Sequence, residues 1–332
     1  MQPIKLGIIG CGIAARDLHW PALKKLKQRF QITLVCNHTE PKARAFSEMV
    51  GGVPFVLDYR DLLTSPEVEA VDIILPIHLN FQVTRDALQA GKHVLVEKPL
   101  AANLQDAQKM AVFEGQFSQV MMVAENFRYH DVFYRVKSYL EAGEIGTPYA
   151  VFWDIFYLID EHKNKYAQTQ WRIHHQYPGA FITDAGIHNI AALRLLFGDL
   201  KTGGVFTTSV NPNIGEIDGM SLQFAAEKDV HGVLNIFVSA RGVAQNRLLI
   251  LGTRGSLAVE DIQRIQVSRD SEIVHSEIIE TDNGYYQEFE AFSRAIRHDE
   301  KVVSTFAEAY RDLEVIIGAL NSANSDRTRQ AK

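Results

Sequence analysis

What this chain lacks narrows its class first. Its 332 residues include only two cysteines, Cys11 and Cys36, and neither belongs to a Cys-x-x-Cys or Cys/His array. A disulfide framework and a zinc module are therefore not expected. Both cysteines fall at predicted strand ends, where buried reduced thiols suit a cytoplasmic protein. The net charge is −6 and no block of basic residues stands out, which argues against a nucleic-acid partner. No uninterrupted apolar run reaches the roughly 18 residues that a membrane span needs. The opening MQPIKLGIIGCG has no basic start followed by a long apolar stretch, so neither a leader nor membrane contact is expected. Internal repeats and low-complexity segments are missing as well.

What is present is ordinary globular material, 46% hydrophobic and 22% charged. A chain of this length exceeds one typical core, so two domains are expected. The first part alternates. IKLGIIG, ITLVC, AVDIILP, HVLVEKP and VMMVAEN are apolar runs, and between them stand segments with helical spacing such as RDLHWPALKKLKQ and NFQVTRDALQAG. Strands that are apolar throughout, separated by amphipathic helices, predict a parallel sheet covered on both faces. The division is placed at 124/125. Residues 125–332 are richer in β pattern, with VFTTSV, SLQFAAEKDVHGVLNIFVSA, RLLILGTRGSLAVE and RIQVSRDSEIVHSEII separated by turn signals. Two helices, YYQEFEAFSRAIR and TFAEAYRDLEVIIGALNSA, close the chain.

The first strand ends in Gly10-x-Gly12-x-x-Ala15 and leads into a helix within a strand–helix–strand unit. In that context Gly10 permits the tight turn, Gly12 lets the backbone approach a pyrophosphate, and Ala15 lets helix and strand pack closely. The helix N-terminus then offers free N–H groups to the phosphates. The alternative is a plain tight strand-to-helix turn. At the end of the second strand Asn37 stands where an acidic residue would bind the adenosine 2′-hydroxyl. Without a carboxylate, discrimination against a 2′-phosphate relaxes. His38, Thr39, Lys42 and Arg44 could supply donors, so the cofactor reading is NADP or NAD with a lean to NADP. Lys42 and Arg44 fit a solvated helix face equally well.

The stretch AGKHVLVEKPLA runs an apolar strand directly into Glu97, Lys98 and Pro99. Here the chain resembles the glucose–fructose oxidoreductase / inositol dehydrogenase (Gfo/Idh/MocA) family, whose hallmark is Glu-Lys-Pro after a strand. The similarity runs nearly end to end, through PEVEAVDIILP, ENFRYHDVFYRVKSYLEAGEIGTPYAV, GAFITDAGIHNIAALRLLFGD and LLILGTRGSLAV. It implies an α/β Rossmann domain with a doubly wound parallel sheet, joined to an α+β domain with a large open, mostly antiparallel sheet that supports homodimers or homotetramers. It also implies NAD(P)-linked oxidation or reduction of a sugar, cyclitol or related polyol, and it makes a cis Lys98–Pro99 bond expected. Departures from the family pattern are Ala191 in place of an acidic residue, the pair Gly179-Ala180 in place of a longer glycine run, and Asn80 in place of a histidine.

Chemistry and resemblance together select the site. Oxidising an alcohol requires a base for the hydroxyl proton, and reducing a carbonyl requires an acid near the oxygen. Lys98 lies just past the carboxyl end of a parallel strand, where ligands of such sheets bind. Pro99 disfavours helical geometry at Lys98, so its side chain is aimed rather than wound away. Asp184 and His188 are four apart and share a helix face. An imidazole can take a hydroxyl proton near neutral pH. His188 is read as the acid/base, with Lys98 and Asp184 assisting, although a lone helix histidine is more often simply packed. Pro76 and His78 are expected beside the nicotinamide, and Glu97 either on the cofactor ribose or paired with a cation. Asn126 and Arg128 match a family segment near the active site. Trp171 and Arg172, with His174, His175 and Tyr177, could read substrate hydroxyls, Trp171 by stacking on a sugar face. His174-His175 has no third ligand at zinc-like spacing, so no metal is expected. Two other readings stay open: a cofactor-binding regulator of the same fold, and a dehydrogenase of dihydrodiols or another cyclic non-sugar alcohol.

Overall fold

The computed structural model describes residues 2–330. They form two compact units, one running to Tyr129 and including Gly284–Arg311, the other comprising His130–Asn283 and the residues from Asp312 on. A reading along the sequence divides at 124/125 and has no means of seeing residues 284–311 return to the first unit.

The first unit is built on β1 (Ile4–Ile9), β2 (Phe30–Cys36), β3 (Phe55–Val56), β4 (Ala70–Ile73), β5 (His93–Glu97) and β6 (Met121–Ala124), all parallel, in the order β3-β2-β1-β4-β5-β6. Between them lie α1 (Trp20–Lys25), α2 (Glu40–Met49), α3 (Tyr59–Thr64), α4 (Asn80–Gln89) and α5 (Leu104–Ala111). The central strands are apolar on both faces because helices cover both. Ile4, Leu6, Val71, Ile73, Val94, Leu95 and Val96 are all inaccessible. Local chemistry sets the helix starts. Asp58 accepts the Arg60 N–H at 2.9 Å to begin α3, and Asn103 accepts the Asp106 N–H at 2.9 Å to begin α5. The strand order reverses between β1 and β4, which opens a crevice at the carboxyl edge. Register puts Cys36, Ile9, Ile73 and Val96 in one row across that edge. Asn37, Gly10, Pro76, Lys98 and Asn126 therefore all emerge there, from five different strands.

The second unit holds α6 (Asp131–Glu141), β7 (Pro148–Phe156), α7 (Gln170–Ile173), α8 (Ala180–Phe197), β8 (Leu200–Thr208), β9 (Gly219–Ala226), β10 (Val230–Phe237), β11 (Gln245–Gly252), β12 (Gly255–Glu260), β13 (Arg264–Arg269) and β14 (Glu272–Ile278). Its eight strands run in the order β14-β13-β12-β11-β7-β10-β9-β8, antiparallel except for the β7/β10 pair. Here the strands alternate, as a sheet with one covered face must. On β7, Val151, Trp153 and Ile155 are buried, while Phe152 between them is 39% exposed.

Helix α8 packs on the covered face. Gly186 allows the close approach, since a Cβ there would stand 2.9 Å from Ile236 Cδ1 on β10. At its far end Arg194 pairs with Asp312 and Asp199, at 2.6 Å to each. By length and composition α8 could cross a bilayer, a property the search for uninterrupted apolar runs did not register, but 78% of it is buried inside the protein.

The chain ends in α9 (Tyr285–His298) and α10 (Phe306–Gln330). The apolar stripe of α9 explains why residues 284–311 belong to the first unit. Phe289 and Phe292 are fully buried, with ring centroids 5.9 and 6.3 Å from that of Phe30 on β2. Burying each such ring contributes about 1.5–3 kcal/mol.

Candidate functional site

The glycine turn satisfies the geometric demands of a dinucleotide cradle. Gly10 has φ +106°, and a Cβ there would overlap the Ile74 carbonyl oxygen at the end of β4. Only glycine fits that position. At Gly12 a Cβ would meet nothing within 4 Å, which is the free space a pyrophosphate needs to reach the backbone. The helix begins at Ile13, and Ala15 is fully buried beneath it. A π-helical turn over Ala15–His19 then widens the helix and carries His19 into the interior.

Asn37 is held by the protein itself. Its Oδ1 accepts the Cys11 N–H at 3.2 Å and its Nδ2 donates to the Thr39 carbonyl at 3.2 Å, so it ties the glycine turn to the loop after β2. His38 and Lys42 are exposed beside it. Arg44 is drawn to Glu40 at 2.6 Å and lies over the Phe55 ring. Pro76 opens a tight turn, Ile77–Leu79, that carries half-buried His78. Burial lowers the pKa of that imidazole, which keeps it neutral.

Glu97 faces His19. His19 Nε2 lies 3.0 Å from Glu97 Oε1, and its Nδ1 lies 2.9 Å from Asp72 Oδ2. With a carboxylate on each side, both ring nitrogens act as donors. Burial alone would depress the pKa of this imidazole, but Asp72 and Glu97 hold it well above the usual histidine range. The second Glu97 oxygen accepts the Lys98 N–H at 3.0 Å. Asn80 Nδ2 donates to the Glu97 carbonyl at 2.8 Å and to the Pro99 carbonyl at 2.9 Å. Lys98 is half-buried, and its bond to Pro99 is cis. Glu288 on α9 is fully buried, and neither of its side-chain oxygens has a hydrogen-bond partner. Burial raises its pKa well above the usual carboxyl range, and the nearby acids Glu97, Glu125 and Asp72 add to the effect.

Asn126 and Arg128 are buried in the turn after β6, and Arg128 pairs with Glu308 at 3.5 Å.

In the second unit, Asp184 and His188 lie on one face of α8, Asp184 buried and His188 half-buried. Asp184 Oδ2 accepts a 2.7 Å hydrogen bond from Arg172 Nε, a pair that is largely out of water. The Arg172 guanidinium sits 4.0 Å from the Trp171 ring centroid and 5.1 Å from that of Tyr166, so one face of Trp171 is already covered by a cation. Burial, with Asp184 adding to it, pushes the Tyr157 hydroxyl up to about 12 and raises that of Tyr177 as well. His175 pairs with Glu216, whose other oxygen accepts the Gly179 N–H that begins α8, while His174 is exposed. This unit thus groups Trp171, Arg172, Tyr177 and Asp184, and adds Tyr157 and Tyr166. Reading the sequence did not single out His19, Asp72, Glu288, Tyr157 or Tyr166. The only signal for His19 was its place one turn into the helix after the glycine loop.

A parallel sheet with a phosphate cradle at its reversal point, followed by a large antiparallel sheet, is the architecture of a two-domain nicotinamide-dependent oxidoreductase. Residues 4–125 match the family described as an oxidoreductase family with NAD-binding Rossmann fold, and residues 133–258 match the GFO/IDH/MocA C-terminal domain. The crystal structure of an oxidoreductase from Thermotoga maritima is 34% identical, covers 97% of each chain and superposes with a TM-score of 0.91. An uncharacterized protein of Saccharomyces cerevisiae is 30% identical over 78% of this chain and 75% of its own. The D-apiose dehydrogenase of Paraburkholderia graminis is 26% identical over 80% of this chain and 70% of its own. The chain belongs to the Gfo/Idh/MocA family of oxidoreductases.

Proposed function

We propose that the protein is an NAD(P)-dependent oxidoreductase acting on a hydroxyl or keto carbon of a sugar, cyclitol or related polyol. The observation that carries this reading is Lys98: an ammonium at the carboxyl edge of the parallel sheet, with the backbone groups on both sides of it tied down. Similarity to a relative named as a sugar dehydrogenase supports the substrate class.

When bound, the nicotinamide supplies or accepts the hydride. The chain's own task is the proton. In the oxidation direction His188 takes the substrate hydroxyl proton as the carbonyl forms, and in reduction it returns that proton to the oxygen. In the first unit, Lys98 is the ammonium that would stabilise negative charge developing on a reacting oxygen. Asp184 anchors Arg172 through their ion pair, and so orders the segment before α8 against which substrate hydroxyls are read. The cofactor cradle is Gly10, Gly12 and Ala15. The absence of a carboxylate at Asn37, together with exposed His38 and Lys42, favours NADP. The uncovered face of the eight-stranded sheet is read as the surface on which copies of the chain pair, and sedimentation of Phe152→Asp against the unmodified protein tests that.

Nicotinamide absorbance, followed with a panel of sugars, inositols and their keto forms, tests the assignment. Turnover is expected on at least one of them, with Lys98→Ala and His188→Ala each lowering kcat about 10²–10⁴-fold while dinucleotide still quenches protein fluorescence. Near-normal activity in both variants overturns the assignment. Tight dinucleotide binding with no turnover on any member of the panel favours the regulator, and turnover on cyclic dihydrodiols alone favours the third reading.

A further inference from the structure

Most lysines begin from a backbone held only by its own strand or helix. Lys98 begins just beyond a strand end, where the chain would ordinarily be loose, yet side chains grip the peptide groups that precede and follow its own bond to Pro99. The Lys98 N–H goes to Glu97 Oε2 at 3.0 Å. The carbonyls of Glu97 and Pro99 both go to Asn80 Nδ2, at 2.8 and 2.9 Å. A side-chain amide has two N–H groups, and here each is spent on one side of Lys98. Asn80 is inaccessible to solvent at the start of α4, so the two bonds are not exchanged with water. Glu97 is itself held, because its other oxygen is fixed by His19, and His19 by Asp72. His19 and Asp72 are 1% and 0% exposed, and a hydrogen-bonded pair so enclosed keeps one arrangement because separating its members leaves buried polar groups unpaired.

We propose that Asn80 and the Asp72–His19–Glu97 chain are positioning residues for the reaction: they clamp the backbone on both sides of Lys98 so that its ammonium is delivered to the reacting oxygen. None of the three upstream groups, Asn80, His19 or Asp72, touches substrate in this scheme. They act through Lys98, and the inference rests on the role assigned to Lys98 above. The arrangement accounts for Glu97, whose charge closes the clamp, and for the asparagine at position 80. An imidazole there could not donate two hydrogens in the same direction to the carbonyls of Glu97 and Pro99.

Two measurements on the full-length protein test this. The first needs no substrate. Amide hydrogen exchange over residues 93–101 is expected to quicken at least tenfold in Asn80→Ala and in His19→Gln, while exchange in β1 and β2 is unchanged. The second uses the best substrate from the sugar and inositol panel. Asn80→Ala is expected to lower kcat at least tenfold with the KM for dinucleotide unchanged, and to cost nothing further in a Lys98→Ala background, since a positioning residue has nothing left to position. Unchanged exchange, or a full tenfold loss repeated in the Lys98→Ala background, overturns the clamp and leaves the assignment of Lys98 standing. Near-normal activity of Lys98→Ala itself removes both. Should Asn80→Ala not fold, His19→Gln carries both measurements with the same expected outcomes.

Discussion

The two sheets of this protein bring functional groups together by opposite means. In the first unit, the carboxyl ends of five parallel strands gather residues as far apart as Gly10 and Asn126 into one edge, and each arrives already fixed by the strand behind it. In the second unit the strands alternate and the candidate groups sit on one helix, α8, and on the segment just before it. The first arrangement is held by backbone geometry and by charges enclosed in the fold. The second is held by side-chain pairs, Arg172 with Asp184 and His175 with Glu216, backed by aromatic rings. A parallel sheet therefore makes a precise edge that tolerates little change, whereas a helix and loop give a surface that can be altered one side chain at a time.

The sharpest way to break the first region is at its glycines, and the two should fail differently. Gly10→Ala places a Cβ onto the Ile74 carbonyl oxygen in a backbone region closed to alanine. Strain of that kind combined with overlap costs at least about 3 kcal/mol, so a large fall in melting temperature and complete loss of dinucleotide binding are expected. Gly12→Ala meets no protein atom. It should melt close to the unmodified protein yet bind dinucleotide at least tenfold more weakly by titration. Equal melting of the two variants would show that the cradle is not shaped as described.

In the second region the corresponding change is Arg172→Ala. It removes the Arg172 half of a largely enclosed ion pair with Asp184, and breaking such a pair costs up to about 3 kcal/mol, reduced where the guanidinium edge meets water. A urea midpoint shift of that order is expected. Asp184→Asn, which keeps an acceptor for Arg172, should lose about half as much. If Asp184→Asn is the more damaging of the two, the carboxylate serves some other partner more than it serves Arg172.

These contrasts follow what could be read from the chain and what could not. The parallel sheet was legible because strands buried on both faces are apolar throughout, and the cradle because Gly10 and Gly12 stand at a strand-to-helix turn. The helical face shared by Asp184 and His188 follows from spacing alone. The partners were not legible. Asp72 reads as an ordinary polar interruption of a strand, and nothing along the chain says that it meets His19, 53 positions earlier, or that His19 meets Glu97, 78 positions later. The same holds for Arg128 with Glu308, and for Asn37, whose side chain holds the backbone of Cys11 and Thr39. Periodicity reports which face of an element is buried. It carries no information on what lies opposite, which is also why residues 284–311 could not be assigned to the first unit until Phe289 and Phe292 were seen against Phe30.

Glu288 offers a subtler probe of the enclosed charges. Burial, with the nearby acids adding to it, favours the neutral carboxyl in the fold, whereas in the unfolded chain it ionises above about pH 4.3. The native state then holds a proton that the unfolded state has released. Its contribution to stability is complete below that pH and falls by about 1.4 kcal/mol per pH unit until the raised folded-state pKa is passed. Glu288→Gln removes this dependence. Denaturation followed upward from pH 4 should therefore show the variant gaining on the unmodified protein until the raised folded-state pKa is passed. A constant difference across that range would mean that Glu288 is ionised in the fold.

The smallest effect is expected where the first region meets solvent. Lys42 is exposed on α2, and removing an exposed charge changes stability by no more than about 0.5 kcal/mol. Lys42→Ala should melt with the unmodified protein. A lysine near the adenosine 2′-position would nonetheless act on one cofactor and not the other, since only NADP carries charge there. The ratio of kcat/KM for NADP to that for NAD should fall severalfold in the variant, and the fall should shrink as salt is added, because attraction between exposed charges is screened. Arg44→Ala provides the internal contrast: its guanidinium is already engaged by Glu40, so it should move the ratio less than Lys42→Ala. A larger effect from Arg44 would mean that the Glu40 pair opens when a phosphate is offered, and that the discriminating charge is one the structure shows turned away.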